Sequence, residues 1–249
     1  MPISQVHNCD CLEYMRSLPD DFFSLAIADP PYGGAGNQQF EGGQVRTTLR
    51  QIQVNHAFGG RFARYNALGQ EGRGQKNTMC GGGVISWDIA PCEEWFDELY
   101  RVSKNQIIWG ANYFPNMPAT RCFIVWEKLS ISESFSMAMA EYAWTSFNGN
   151  AKLYKQTPQG TKGDRFHPTQ KPIELYAWTL KNFAKQGDTI FDPMMGSQSS
   201  RIAAYKLGFD YVGCELNKDY FEAGNARFDK HCNGIEVVGN RVYKQQSLF

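Results

Sequence analysis

Three short apolar runs in this chain each stop at an acidic residue, and that pattern narrows the folds open to it. Residues 23–28 (FSLAIA) stop at Asp29, residues 189–191 at Asp192 and residues 211–214 (YVGC) at Glu215. Each run is short enough for a buried strand, and the prolines that follow Asp29 and Asp192 forbid a helix from continuing. Helical segments alternate with the runs. Leu12, Met15 and Leu18 mark a helix over 12–18, and further helices are predicted at 91–102, 172–183, 199–207 and 219–231. Pro91 and Pro172 open two of them, and Gly208 stops a third. Strands are also predicted at 3–7, 106–109 and 123–126, with 141–147 as a candidate antiparallel partner. Such alternation predicts an α/β fold with a mostly parallel sheet.

A chain of 249 residues fits one domain with a sizeable core, so neither disulfides nor metal are needed to hold it together. No apolar run is long enough for a membrane helix, and the N-terminus shows no signal-peptide pattern. Seven scattered cysteines carry no zinc spacing and read as reduced thiols, which points to a cytoplasmic protein. Cys9 and Cys11 are the only close pair. His7, His56, His167 and His231 show no metal spacing either. Formal net charge is zero, so a nucleic-acid site must be a local patch.

Residues 33–83 supply that patch. They hold 13 of the 24 glycines and six cations (Arg46, Arg50, Arg61, Arg64, Arg73 and Lys76) against two acids. A Gly-rich stretch of this length, with a short helix near 47–53, reads as an insertion, and its chemistry suits a flap closing on a phosphate backbone.

The chemistry concentrates in three segments. Asp29-Pro30-Pro31-Tyr32 follows a strand, at the sheet edge where open α/β folds bind ligands. A carboxylate and the Pro30 carbonyl could accept both protons of an exocyclic amine, and Tyr32 could stack on the ring. Phe191-Asp192-Pro193-Met194-Met195-Gly196-Ser197 runs from a strand through a tight turn of small residues toward a helix. Glu215, at the end of the next strand, is placed to bind a ribose diol. His167-Pro168-Thr169-Gln170-Lys171-Pro172 precedes a helix, where Lys171 could meet a carboxylate. Each segment alone also reads as an ordinary turn or cap.

Together they resemble the DNA amino-methyltransferases that use S-adenosylmethionine (SAM), of the adenine-N6 or cytosine-N4 type. DPPY is similar to the catalytic motif, FDPMMGS to the cofactor motif, and HPTQKP to the segment before it. The catalytic motif comes first, the permuted order of the β group, which is bacterial or phage in source. The resemblance covers residues 1–32 and 86–231. It implies a Rossmann-like methyltransferase fold with a seven-stranded, mostly parallel sheet, one antiparallel strand and helices on both faces. The first strand would lie beside the strand ending at Glu215. It implies Asp29, Pro30, Pro31 and Tyr32 as the catalytic loop. Its cofactor set would be Asp10, Cys11, Asp29, His167, Thr169, Lys171, Asp192, Pro193, Met194, Gly196, Ser197, Glu215 and Asn217. The activity implied is methylation of the N6 amine of an adenine flipped out of double-stranded DNA, in a restriction-modification setting. Cytosine-N4 and RNA-adenine methylation are the alternatives, and a catalytically weakened SAM- or DNA-binding protein is a remote one.

One position departs from the family. Gln198 stands where a second glycine is usual. A positive φ there would cost about 1 kcal/mol, and its side chain could crowd the methionine part of SAM. Pro91-Cys92 is the pair that marks cytosine-C5 enzymes, but at a helix start it reads as structural. Trp109, Tyr113 and Phe114 read as core. Residues 128–165 are a candidate target-recognition segment, and a short site or a homodimer would suit so small a reading surface. The tail 244–249 resembles a sliding-clamp peptide, with Gln245, Leu248 and Phe249 as anchors.

Overall fold

The computed structural model describes residues 1–33, 89–135, 137–158, 165–238 and 241–244. The predicted helix near 47–53, the six cations of the flap and the clamp anchors Gln245, Leu248 and Phe249 lie outside them.

The strands are β1 (Ser4–His7), β2 (Leu25–Ala28), β3 (Gln106–Trp109), β4 (Phe123–Glu127), β5 (Ala140–Thr145), β6 (Lys152–Lys155), β7 (Thr189–Asp192) and β8 (Asp210–Cys214). They form one sheet in the order β1-β8-β7-β2-β3-β5-β4-β6. Only β5 runs against its neighbours, β3 and β4. The expected antiparallel partner is therefore present, and β1 does lie beside β8, with Ser4 opposite Tyr211 and His7 opposite Cys214. The count is corrected from seven strands to eight. The addition is β6, parallel to β4 at the sheet edge. Its sequence, KLYK, is half charged and carries no apolar run, which is why it gives no strand signal. A separate two-stranded ribbon joins β9 (Ile235–Val238) to β10 (Arg241–Lys244).

The helices are α1 (Cys11–Arg16), α2 (Glu93–Val102), α3 (Ile173–Phe183), α4 (Ser199–Lys206) and α5 (Lys218–Phe228). The last predicted helix, 219–231, ends earlier and continues as a π-helical turn, Asp229–Asn233. Period-2 alternation sorts the strands onto two cores. Leu25, Ile27, Ile107, Trp109 and Ile190 face Leu175, Leu180, Ala203 and Ala204 of α3 and α4. Ala26, Ala28, Ile108 and Phe191 face Met15 of α1 and Trp95, Leu99 and Val102 of α2. The sheet is thus covered on both faces, and its open edge for ligands is the one where β2, β7 and β8 end. Cys92 is the residue before α2, and its carbonyl accepts from Trp95 N–H, a structural role. Within residues 128–165, β5 and β6 are strands of the main sheet. The other described residues of that stretch lie outside helices and strands.

Among the described residues the cysteines are free, and no group of three or more metal-ligating side chains gathers. No helix among them is long and apolar enough to cross a membrane.

Candidate active site

Asp29 leaves β2 at the open sheet edge with only 15% of its side chain exposed. Lys171 Nζ lies 2.5 Å from Asp29 Oδ1, and the Tyr32 hydroxyl donates to the same oxygen at 2.9 Å. Both contacts fall on Oδ1, which leaves Oδ2 to accept from a substrate. Burial pushes the Asp29 carboxyl above the usual carboxylate range, and Lys171 opposes the rise.

The Tyr32 ring is set by its neighbours. It stacks on Tyr113 with centroids 4.7 Å apart and meets Phe114 edge-on. Gly110, which follows β3, makes this possible twice over. Its φ is +66°, and a Cβ there would sit 2.0 Å from Tyr32 Cε1. Trp109 and Phe114 are core residues as expected, but Tyr113 belongs to the site.

Lys171 is almost wholly buried and has a second carboxylate partner, Glu141 Oε2 at 3.0 Å. Glu141 Oε1 in turn lies 2.5 Å from Lys128 Nζ. Two acids and two bases therefore alternate as a buried chain, Asp29–Lys171–Glu141–Lys128. Burial works against the Glu141 charge, but the two ammonium groups outweigh it and hold its carboxyl down at about 2. Burial likewise disfavours the Lys171 charge, yet Asp29 and Glu141 hold it firmly protonated. Lys171 thus meets carboxylates of this chain itself.

The second part of the site is the turn between β7 and α4. Glu215 Oε2 accepts from Gly196 N–H at 2.8 Å, and its Oε1 accepts from Asn217 N–H at 2.8 Å. Asn8 ties the loops together by donating to the Glu215 and Leu216 carbonyls. His167 roofs the same turn, since a Cβ on Gly196 would come within 3.2 Å of its Nε2. It packs edge-on to Tyr220 and pairs through Nδ1 with Thr169 Oγ1. Burial, then the nearby Lys171 and Arg165 charges, lower its pKa to about 4, so it is neutral. The HPTQKP segment therefore bridges the two halves, with His167 at the turn and Lys171 at Asp29.

Of the predicted cofactor residues, Asp192, Cys11 and Ser197 face inward. Asp192 accepts from Met194 N–H at 3.0 Å and from Ser200 Oγ at 2.5 Å, so it braces the turn. Burial raises its pKa to about 7. The Cys11 side chain is covered by Trp95, whose indole N–H points at its sulfur, and burial pushes the thiol up to about 12. Ser197 is buried and Arg227 caps its carbonyl at 2.8 Å. Asp10 and Asn217 cap α1 and α5 through their side-chain oxygens. Pro193 is buried, and Met194 is half-buried beside the turn.

Gln198 does adopt a positive φ, +58°. Its side chain nevertheless leaves the cofactor turn. It packs on Gly224 of α5, where a Cβ would come within 2.5 Å. Its amide donates to Phe221 O and Asn225 Oδ1, and its carbonyl oxygen accepts from Arg201 Nη1 at 2.7 Å. The expected crowding of the methionine pocket is corrected by this inward network.

A cofactor with a ribose and an adenine fits the donor set at this turn. Each Glu215 oxygen makes one hydrogen bond to a backbone amide and keeps a lone pair for a hydroxyl. Glu141, Lys128, Tyr113 and Gly110 are site residues that the sequence reading did not single out as such. The only signal for them was their place at the ends of predicted strands.

A parallel sheet with one reversed strand, a buried DPPY loop and a braced turn at the same edge defines a Rossmann-like methyltransferase fold. The structure is similar to PvuII DNA methyltransferase (cytosine-N4-specific), with a TM-score of 0.56 at 12% identity over 96% of this chain and 89% of that one. It is also similar to M1.HpyAVI solved with SAM, with a TM-score of 0.51 at 17% identity over 90% and 98%. A family described as DNA methylase, the N6/N4 methyltransferases, matches residues 121–226, which contain Lys171, Gly196 and Glu215. The type II methyltransferase M.HinfI of Haemophilus influenzae is 24% identical over 94% of this chain and 71% of its own length. M.HpaI of Haemophilus parainfluenzae is 32% identical over 32% of this chain, which spans only 26% of that protein. Residues 121–226 are thus similar to the N6/N4 DNA methyltransferases, and the whole chain shares their fold.

Proposed function

We propose that this chain methylates the exocyclic N6 amine of adenine in double-stranded DNA, using SAM. The observation that carries the reading is the Asp29 carboxylate, clamped through one oxygen by Lys171 and Tyr32 at the mouth of the sheet edge. An amine inside a base pair cannot reach such a buried group, so the target base flips out. Asp29 and the Pro30 carbonyl accept the two amine protons and turn the nitrogen lone pair outward. Tyr32, backed by the Tyr113 ring stacked on it, offers an aromatic face to the base. SAM supplies an electrophilic methyl group when bound. Glu215, Asn217, Gly196, Met194, His167 and Asp10 are the residues that would hold it. The proton released by the methylated amine passes to Asp29 or to water. Positioning and charge placement carry the catalysis, with no covalent enzyme intermediate.

Arg46, Arg50, Arg61, Arg64, Arg73 and Lys76 are the proposed phosphate contacts. Gln245, Leu248 and Phe249 are proposed to engage a sliding clamp, and a homodimer would widen the DNA-reading surface. Loss of clamp binding on deleting residues 245–249 tests that part.

The reading is tested by offering labelled SAM with unmethylated DNA and RNA in parallel and identifying the product nucleosides. Label on DNA adenine is the expected result. Label on cytosine N4 or on RNA would overturn the assigned substrate, and no transfer would overturn the activity.

A further inference from the structure

Four buried charges are a costly way to fill a sheet edge, because each loses its hydration. Here they alternate in sign along one chain of contacts. Asp29 Oδ1 lies 2.5 Å from Lys171 Nζ, Lys171 Nζ 3.0 Å from Glu141 Oε2, and Glu141 Oε1 2.5 Å from Lys128 Nζ. Neither lysine is exposed, and Glu141 is largely covered. The reversed direction of β5 is what builds the chain. Glu141 is the second residue of β5, opposite Trp126, so the start of this strand reaches the same edge where β2 ends at Asp29. Lys128 is the first residue past β4, at that edge too. Trp126 lies under the Lys128 ammonium at 5.2 Å, and Trp109 under that of Lys171 at 5.6 Å.

We propose that Glu141, braced by Lys128, is a positioning residue that acts on Asp29 through Lys171. This rests on the function proposed above. Lys171 can sit between two carboxylates only if the second one is anionic, and Lys171 itself, with Lys128 behind it, keeps Glu141 so. The shared ammonium then fixes the Oδ1 side of Asp29 without neutralising its acceptor strength completely. Without Glu141, Lys171 would bind Asp29 alone and pull its electrons away from the substrate amine. Without Lys128, Glu141 would draw Lys171 toward itself and away from Asp29.

The remaining titratable groups facing Asp29 are Tyr32 on its own loop, Tyr176 on α3 and Asp192 at the end of β7. None of these is changed by the variants below. Glu141 raises the Asp29 carboxyl by like charge, which gives the sign of the test.

The experiment uses the full chain with carboxyl-labelled aspartate. The Asp29 resonance is titrated, and the pH profile of kcat with DNA and SAM is measured beside it. Glu141→Gln keeps the shape of the side chain and removes its charge. Lys128→Met removes the brace. The Asp29 titration and the acid limb of kcat are expected to move down by about one pH unit in Glu141→Gln and up in Lys128→Met. In Glu141→Gln, kcat at the plateau is expected to fall about tenfold with the KM for SAM unchanged. Shifts of one sign in both variants, or no shift, would overturn the proposal. A wild-type chain that titrates as expected but transfers no methyl group would sink the proposed function instead. The resonance alone then decides whether the relay exists.

Discussion

Lys171 Nζ sits 2.5 Å from Asp29 Oδ1, although 142 positions separate the two residues in the chain. The pair joins the segment before α3 to the loop after β2, and so joins the two motifs of the site into one. Replacing Lys171 by Met would leave Asp29 and Glu141 as neighbouring covered carboxylates, with Lys128 paired to Glu141 alone. The cost expected is about 3–5 kcal/mol if both stay ionised, and less if one takes up a proton. Thermal unfolding of Lys171→Met at two pH values measures it. The loss should be smaller at the lower pH, where a proton replaces the ammonium.

Gly110 is predicted to be intolerant of any side chain. Alanine there would meet the Tyr32 ring at 2.0 Å and would itself need a positive φ. The ring must move, and Tyr113 loses its stacking partner. Gly110→Ala should reduce methyl transfer by about a hundredfold while SAM binding is kept. Steady-state kinetics beside calorimetric SAM titration separate the two. Equal loss of both would contradict the assignment of Tyr32 to the base side.

Gln198 separates strain from packing. Gln198→Gly relieves the positive φ but loses the contacts to Arg201, Asn225 and Phe221. Gln198→Ala keeps the strain and loses the same contacts. Alanine should therefore be the worse substitution, by about 1 kcal/mol, in chemical denaturation. SAM affinity should be unchanged in Gln198→Gly, because the side chain points away from the turn.

Asp192 gives a pH dependence of stability. Burial raises its folded pKa to about 7, above the ordinary value of an unfolded aspartate. Between those values the folded state holds the extra proton, so stability falls as pH rises through that window. Asparagine at this position keeps an acceptor for Met194 N–H and a partner for Ser200. Asp192→Asn is expected to be more stable than wild type by about 1–3 kcal/mol at about pH 8, and equal to it at about pH 3. A constant difference at both pH values would contradict a raised Asp192.

The legible part of the site was the part written in consecutive residues. Asp29-Pro30-Pro31-Tyr32, the Gly196 turn and Glu215 each sit where a short apolar run stops, and the strands β2, β7 and β8 lie where those runs predict. The place of β1 against β8 came instead from the family resemblance, because the runs themselves carry no sheet order. Glu141 and Lys128 were not legible, because their role depends on a strand that runs backwards. An acid at the start of an antiparallel strand gives no local signal that it shares an edge with the ends of parallel ones. Gln198 could be flagged from sequence, but its direction is decided by Gly224 and Arg201, on two different helices. Asp192 shows what the motif alone does not tell: its oxygens accept from Met194 N–H and Ser200 Oγ within its own turn.

The most direct test of the account compares wild type with Asp29→Ala in two assays on the same preparations, SAM binding by calorimetry and methyl transfer to unmethylated DNA. Asp29 is assigned to the amine, while Glu215 and the Gly196 turn are assigned to the cofactor. The variant should therefore bind SAM within about twofold of wild type and lose transfer by about a thousandfold or more. Transfer that survives in Asp29→Ala would contradict the central claim that this clamped carboxylate orients the substrate amine.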